Sequence, residues 1–326
     1  LKESTVFPGN GNYKKVSMFN TLAHQSKSQK FTVNFSASYS IEDNQLPRLD
    51  FTGVAYRLQP NAPKLYTDDR TLNWEDSTWD NPLASLEQKY RAQTNTLIAK
   101  LGLAYAIMPN LKLKTNLGYT NNQLESHRIF PSSARRPSLG LDASSSSFDI
   151  NRSGRESWII EPQLDWSQPL DHIKLQVLLG STFQKQESKA LVQTARGFSS
   201  DNLLLNLAAA NTVEVFRDSQ STYKYQAVFG RINAKWRNRY ILNLTARRDG
   251  SSRFGPGRQF GNFGAIGFAW LFSEEKFLKN SSVISLGKLR GSYGTTGSDN
   301  IGDYNFLSTY NTTGLDYNGI SVLEPT

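Results

Sequence analysis

Residues Tyr240 to Tyr304 read YILNLTARRDGSSRFGPGRQFGNFGAIGFAWLFSEEKFLKNSSVISLGKLRGSYGTTGSDNIGDY. From Tyr240 to Ala246, apolar Tyr240, Leu242, Leu244 and Ala246 alternate with Asn243 and Thr245, the period-2 pattern of a strand with one apolar face. Asp249-Gly250 opens a Gly/Ser/Pro-rich tip. A second strand follows with Ile266, Phe268, Trp270 and Phe272, then the charged turn SEEKFLKN and a third rise into another Gly-rich tip. The pattern is a β-meander whose two ends have unlike turns, and that asymmetry points to a membrane.

The same alternation recurs outward from this stretch. It runs through Leu97–Tyr105, through Leu111–Tyr119 against Lys112, Lys114 and Asn116, and through Ile173–Phe183 against Lys174, Gln176 and Gln184. Further strands are expected near residues 16–24, 31–41, 154–167, 222–236, 286–296 and 303–312, about eleven in all. Connections at 26–30, 108–110, 168–172 and 237–239 are short, whereas those at about 42–92, 128–153 and 189–221 are long. Short and long connections alternate, as in membrane β-barrels, which turn tightly on the periplasmic side and carry long loops outside. A soluble sandwich shows the same strand alternation but has no reason to gather its long loops at one end.

Composition agrees. The chain has 326 residues, no cysteine and three histidines, which excludes thiolate chemistry and leaves no His pair at metal-ligand spacing. Mean hydropathy is −0.51. The longest apolar run, Leu103 to Met108, has six residues, against about 18 for a membrane helix. A barrel escapes that test because only alternate residues meet lipid. The net charge of +9 is scattered, so a nucleic-acid surface is not indicated. Adjacent acids such as Glu274-Glu275 would point to opposite faces of a strand and make no catalytic dyad. No residue is assigned catalysis, cofactor or metal binding.

Several groups are candidates for function. Tyr105, Trp166, Trp236, Tyr240, Trp270 and Phe272 stand beside short turns and are expected to form a periplasmic aromatic girdle. Lys112, Lys114, Lys174, Gln176, Asn243 and Arg247, on the polar side of the alternation, are expected to face the lumen. Tyr66, Trp74 and Trp79 in the 42–92 loop offer flat faces for substrate, sugar rings in particular. Within the loops, helical turns are expected at Asp50–Leu58, after Asp80 or Asn81 with Pro82 in the first turn, and at Asn202–Ala210. The Ser-rich stretch Leu139–Ser153 is expected to be exposed.

The run ILNLTARRDGSSRFGPGRQFGNFGAIGFAWLFSEEKFLKN with LGKLRGSYGTTGSDNIGDY resembles the SusC/RagA-like family of TonB-dependent (TonB-linked) outer-membrane transporters. So do LQPNAPKLYTDD, LNWEDSTWDNPLASLEQKY, SWIIEPQLDW, LLGSTFQKQ and YKYQAVFGRINAKW, so the likeness covers nearly the whole chain. The resemblance implies an all-β fold, an antiparallel transmembrane β-barrel present in part: about eleven strands of a larger, 22-stranded barrel with long extracellular loops and short helices. Residues 1–326 are then expected to be a partial receptor barrel domain, with plug domain, TonB box and leader absent. It also implies TonB-energised import of oligosaccharides or peptides across the outer membrane of a Gram-negative bacterium, with a SusD-like surface lipoprotein as partner and TonB contacted through a segment not present here. The alternatives are a non-transporting structural or adhesin barrel and a soluble glycan-binding sandwich.

Overall fold

The computed structural model describes residues 2–4, 11–45, 50–278 and 283–325, with the side chains of 2–4, 311, 312 and 314 left aside. Its elements in chain order are β1 (Lys2–Ser4), β2 (Asn12–Gln25), β3 (Phe31–Asn44), α1 (Thr52–Arg57), β4 (Tyr90–Met108), β5 (Leu111–Phe130), β6 (Ser147–Leu170), β7 (Ile173–Phe198), β8 (Ala210–Trp236), β9 (Tyr240–Ser251), β10 (Phe260–Trp270), β11 (Leu289–Gly294), β12 (Tyr310–Tyr317) and β13 (Ile320–Pro325). Strands β1 to β11 pair in sequence order as one open antiparallel sheet, and β12 and β13 form a separate pair.

Residues directly opposite each other on antiparallel strands share a face, so the register carries the faces across the sheet. One row runs Ile173, Trp236, Tyr240, Trp270, Leu289; a second runs Tyr105, Leu113, Leu164, Leu179. The apolar residues used to recognise these strands fall on this one face, except Phe272, which lies beyond the end of β10. It remains largely uncovered: Leu179, Val228, Phe268 and Ile266 are all about half exposed or more. On β7 the apolar alternation extends only from Ile173 to Phe183, eleven of its 26 residues, which matches the 9–11 residues of a tilted membrane strand.

Two loop expectations change. The connections expected at 128–153 and 189–221 shrink to residues 131–146 and 199–209, because β5, β6, β7 and β8 run far past the apolar band. These upper strand halves lack a sustained apolar face and hold together through ladder hydrogen bonds and cross-strand pairs. Glu125 meets Arg152 at 3.5 Å, and the Thr194 hydroxyl donates to Asp149 at 2.9 Å. The Ser-rich stretch is also not exposed throughout: Ser146, Phe148 and Ile150 are buried. Phe148 and Ile150 form a core with Ala195, Phe198 and Leu204, because the 199–209 loop folds over the strands there.

The remaining loop expectations fare unevenly. Helix α1 lies within Asp50–Leu58. Pro82–Leu86 is a 3-10 turn capped by the Asn81 side chain, which accepts from the Leu83 N–H at 2.9 Å. Asn202–Ala210 resolves into two 3-10 turns, Asp201–Leu203 and Leu207–Ala209. The strand expected near 303–312 is absent before Tyr310, since Asp303 and Tyr304 are used as side-chain anchors on the sheet. The 271–288 connection is long although it lies at the short-turn end; residues 279 and 280 of its SEEKFLKN segment lie outside the described residues.

The long loops sit at one end and interlock. Arg136 pairs with Asp80 at 2.8 Å, tying 131–146 to 50–89. Ser132 and Ser146 donate to the two oxygens of Asp201 at 2.8 and 2.6 Å, tying 131–146 to 199–209.

Candidate functional site

The turn end of the apolar face carries an aromatic row. Trp236 and Tyr240 have ring centroids 5.3 Å apart, Tyr240 and Trp270 stack at 6.5 Å, and Phe272 meets Trp270 edge-on at 5.9 Å. The polar tips of the row converge on Glu275. Tyr240 Oη donates to Oε1 at 2.7 Å, Trp270 Nε1 donates to it at 3.1 Å, and Arg239 donates to Oε2 at 2.7 Å. The bonds from Tyr240 and Trp270, with the Arg239 charge, hold the Glu275 carboxyl below its usual range. Ring bodies on an apolar face with anchored polar tips are the arrangement favoured where hydrocarbon meets water. Tyr105 and Trp166 lie on the same face at the same end, opposite Leu113 and Leu111. Phe272 lies just beyond β10 in a 3-10 turn.

At the other margin of the apolar stretch stand Tyr119, Trp158, Phe183 and Phe260, a second set of aromatics on that face. The sequence alone does not group them, because their neighbours beyond are polar and no short turn marks their height.

The opposite face is polar. Lys112, Lys114, Lys174, Gln176, Asn243 and Arg247 all fall on it by register. Lys114 pairs with Asp165 at 2.6 Å, and Asn233 donates to Asn243 at 3.1 Å. The structure spreads these residues over several strands, and of them Arg247 alone supports a cavity wall, through its bonds to the lining residues Tyr225 and Asp249.

That cavity, of about 500 Å³, lies at the loop end of the polar face and is lined by Tyr223, Tyr225, Asp249, Phe254, Arg258 and Phe263 among others. It is built by the DGSSRFGP tip folding against the GSDNIGDY segment. Tyr223 and Ser251 donate to Asp299 Oδ2 at 2.6 and 2.8 Å. Arg253 donates to Asp303 Oδ1 at 2.8 Å and to the Asp299 carbonyl at 3.0 Å, with its guanidinium 4.4 Å from the centre of the Tyr223 ring. Burial alone would raise the Asp299 carboxyl, but the bonds from Tyr223 and Ser251 and the Arg253 charge outweigh it and hold the group low. Burial and the bond to Asp299 push the Tyr223 hydroxyl up, so it stays a neutral donor. Arg247 bridges Tyr225 and Asp249. Arg258 lines the cavity and makes no ion pair among the described residues. The wall therefore offers fixed aromatic faces and one uncommitted guanidinium to a polar solute. Apart from Arg247, none of this is apparent in sequence, where Tyr223 and Asp299 are 76 residues apart.

Tyr66, Trp74 and Trp79 lie in the 50–89 excursion, away from that cavity. Its hub is the buried Asn81, whose amide donates to the carbonyls of Leu65 and Asn73 at 2.6 and 2.9 Å. Tyr66 is exposed and the two tryptophans half-buried. No ring contact joins the three among the described residues.

No family model matches the chain. Among curated proteins it is 27% identical over 266 residues to TonB-dependent receptor P3 of Formosa agariphila, covering 80% of this chain and 26% of that protein. It is 26% identical over 334 residues to TonB-dependent receptor P39 of the same organism, covering all of this chain and 31% of that protein. With TonB-dependent receptor SusC of Bacteroides thetaiotaomicron it shares 27% over 278 residues, 83% of this chain and 26% of SusC. The chain thus spans about a quarter to a third of the length of the curated relatives it matches. These relatives are named as receptors, not enzymes. Among solved structures, the RagAB peptide transporter superposes with a TM-score of 0.77 at 17% identity, over 97% of this chain and 36% of that one. At that identity the likeness speaks for the fold: an antiparallel stretch of barrel wall.

Proposed function

We propose, from the kinship of this chain with SusC/RagA-like TonB-dependent receptors, that it forms part of the wall of an outer-membrane importer of large polar nutrients. The observation that carries this is the two-faced sheet. One face holds an uncovered apolar band about eleven residues tall with aromatics at both margins, and the other holds polar residues and the tyrosine–arginine cavity. The apolar face meets lipid, and Lys112, Lys114, Lys174, Gln176, Asn243 and Arg247 line the lumen. Tyr105, Trp166, Trp236, Tyr240, Trp270 and Phe272 form the periplasmic girdle, and the interlocked loops face outside. An open sheet leaves edge N–H and C=O groups that lipid cannot satisfy, so further strands must flank it to close the barrel.

In this reading import is TonB-energised and a SusD-like lipoprotein closes the mouth. The cargo is an oligosaccharide or a peptide that meets the aromatic faces of the cavity, with Arg258 recognising a carboxylate or hydroxyl; Tyr66, Trp74 and Trp79 contribute a further contact from the loops. The test is uptake of fluorescent peptides and oligosaccharides by cells carrying the complete receptor, with and without TonB. Uptake should require TonB, and Arg258→Gln should weaken it. Undiminished uptake without TonB, or recovery of the receptor from cells without detergent, would sink the proposal.

A further inference from the structure

Immediately above the apolar band, on the face assigned to lipid, Lys185 of β7 stands directly opposite Lys224 of β8. Like charges placed face to face on neighbouring strands repel. Lys185 is partly relieved by Glu187 at 2.5 Å, but Lys224 has no ion-pair partner among the described residues. A third cation, Arg248 of β9, starts from the same face one row below Gly250, opposite Val228 and Asn262, and its guanidinium lies 5.0 Å from the centre of the Phe260 ring, with no ion pair among the described residues.

Beside the two lysines the sheet is hollowed. Gly250 has no side chain, and the Phe260 ring lies over it, so close that a Cβ there would be 2.6 Å from the ring. The resulting cavity of about 510 Å³ is lined by Trp158, Phe183, Lys185, Lys224, Gln226 and Phe260 among others. Trp158 shares a row with Lys185, and Phe183 shares one with Gln226, Gly250 and Phe260. The floor is therefore aromatic, with Lys185 and Lys224 on the rim one strand step above the band and the Arg248 guanidinium approaching from below along the Phe260 ring.

We propose that Lys185, Lys224 and Arg248 bind the phosphate of a glycolipid headgroup in the outer leaflet. A phosphate monoester brings up to two negative charges and several acceptor oxygens, which would turn the Lys185–Lys224 repulsion into a shared clamp. The aromatic floor suits the sugar ring and the start of the acyl chains, a combination that a free phosphate ion lacks. The site rests on the membrane-wall reading, because only that reading brings lipid headgroups to this height.

The test reconstitutes the complete receptor in phosphatidylcholine nanodiscs containing equal small fractions of bisphosphorylated lipid A and its dephosphorylated form, followed by mass analysis of the lipid retained after detergent extraction. The wild type should retain the phosphorylated form in excess, on the order of tenfold or more for a three-cation site. The triple variant Lys185→Gln, Lys224→Gln, Arg248→Gln should lose that excess. The variant Lys100→Gln, Arg231→Gln, Lys235→Gln, with the same charge removed from the opposite face, should keep it. Should the first triple variant not fold, Lys224→Gln alone decides: it relieves the like-charge pair, so its melting temperature should hold or rise in neutral detergent yet fall below wild type in lipid A nanodiscs. No excess in the wild type, an excess kept by the first triple, equal loss in both, or displacement of the glycolipid by inorganic phosphate would each overturn the site. A receptor that inserts but shows no preference refutes the site alone; one that does not insert refutes the membrane-wall reading beneath it.

Discussion

Leu179→Arg tests the face assignment most sharply. On β7 the lipid-side positions within the band are Ile173, Leu175, Val177, Leu179, Ser181 and Phe183. Residues two apart advance about 6.6 Å along a strand, or roughly 5 Å in depth at a tilt near 40°. The six positions then cover roughly 25 Å, the height of a barrel's apolar band. Leu179 lies about 15 Å from Ile173 and about 10 Å from Phe183, close to the midplane. An arginine there should cost about 2–4 kcal/mol, a factor of roughly 30 to 900 in the folding equilibrium. Ile173→Arg, at the margin, should cost about 0–1 kcal/mol. Gln176→Arg, between Ser167 and Asn233 on the other face, should stay within about 0.5 kcal/mol. The assay is reversible urea unfolding of the complete receptor in thin-bilayer vesicles. Equal costs for Leu179→Arg and Gln176→Arg would refute the face assignment. Equal costs for Leu179→Arg and Ile173→Arg would refute the bilayer, since the core of a soluble sandwich has no such depth gradient.

Three further outcomes are expected. The depressed Glu275 carboxyl contributes stability that is complete above its ordinary value of 4.5 and is lost as pH falls below it. Thermal melts from pH 7 to pH 3 should therefore show Glu275→Gln less stable than wild type at neutral pH, with the gap closing in acid; a gap independent of pH would remove the charge from the argument. Asp201→Ala leaves the Ser132 and Ser146 hydroxyls without their acceptor. The loss of about 1–2 kcal/mol should speed protease cleavage within 131–146 and 199–209 roughly 5- to 30-fold, with barrel heat-modifiability unchanged. Expressed alone, the 326-residue chain should neither insert stably nor transport, because its sheet edges are open; a heat-modifiable band from the chain by itself would contradict that.

Local physics made much of this legible in advance. Leu111, Leu113 and Leu117 alternate with Lys112, Lys114 and Asn116 because the strand period is two, and the short Pro109-Asn110 connection shows where the chain reverses. The aromatics near such turns could be grouped for the same reason. The upper halves of β5 to β8 carried no such signal. Where both faces meet water, alternation confers no advantage, and residues such as Lys189 to Gln193 read as loop. The core around Phe148 was hidden because its lid, Leu204, arrives from more than fifty residues away through a loop clasp on Asp201.

A strand meander with one apolar face follows from local sequence, since it depends on neighbours two residues apart and on turn chemistry. Which residues meet depends on the folded sheet. Register placed Lys185 against Lys224, and folding of the tip residues Ser251 and Arg253 onto Asp299 and Asp303 made a cavity from them. These contacts join segments that share no local period, so their geometry exists only once the ladder has set the register between strands.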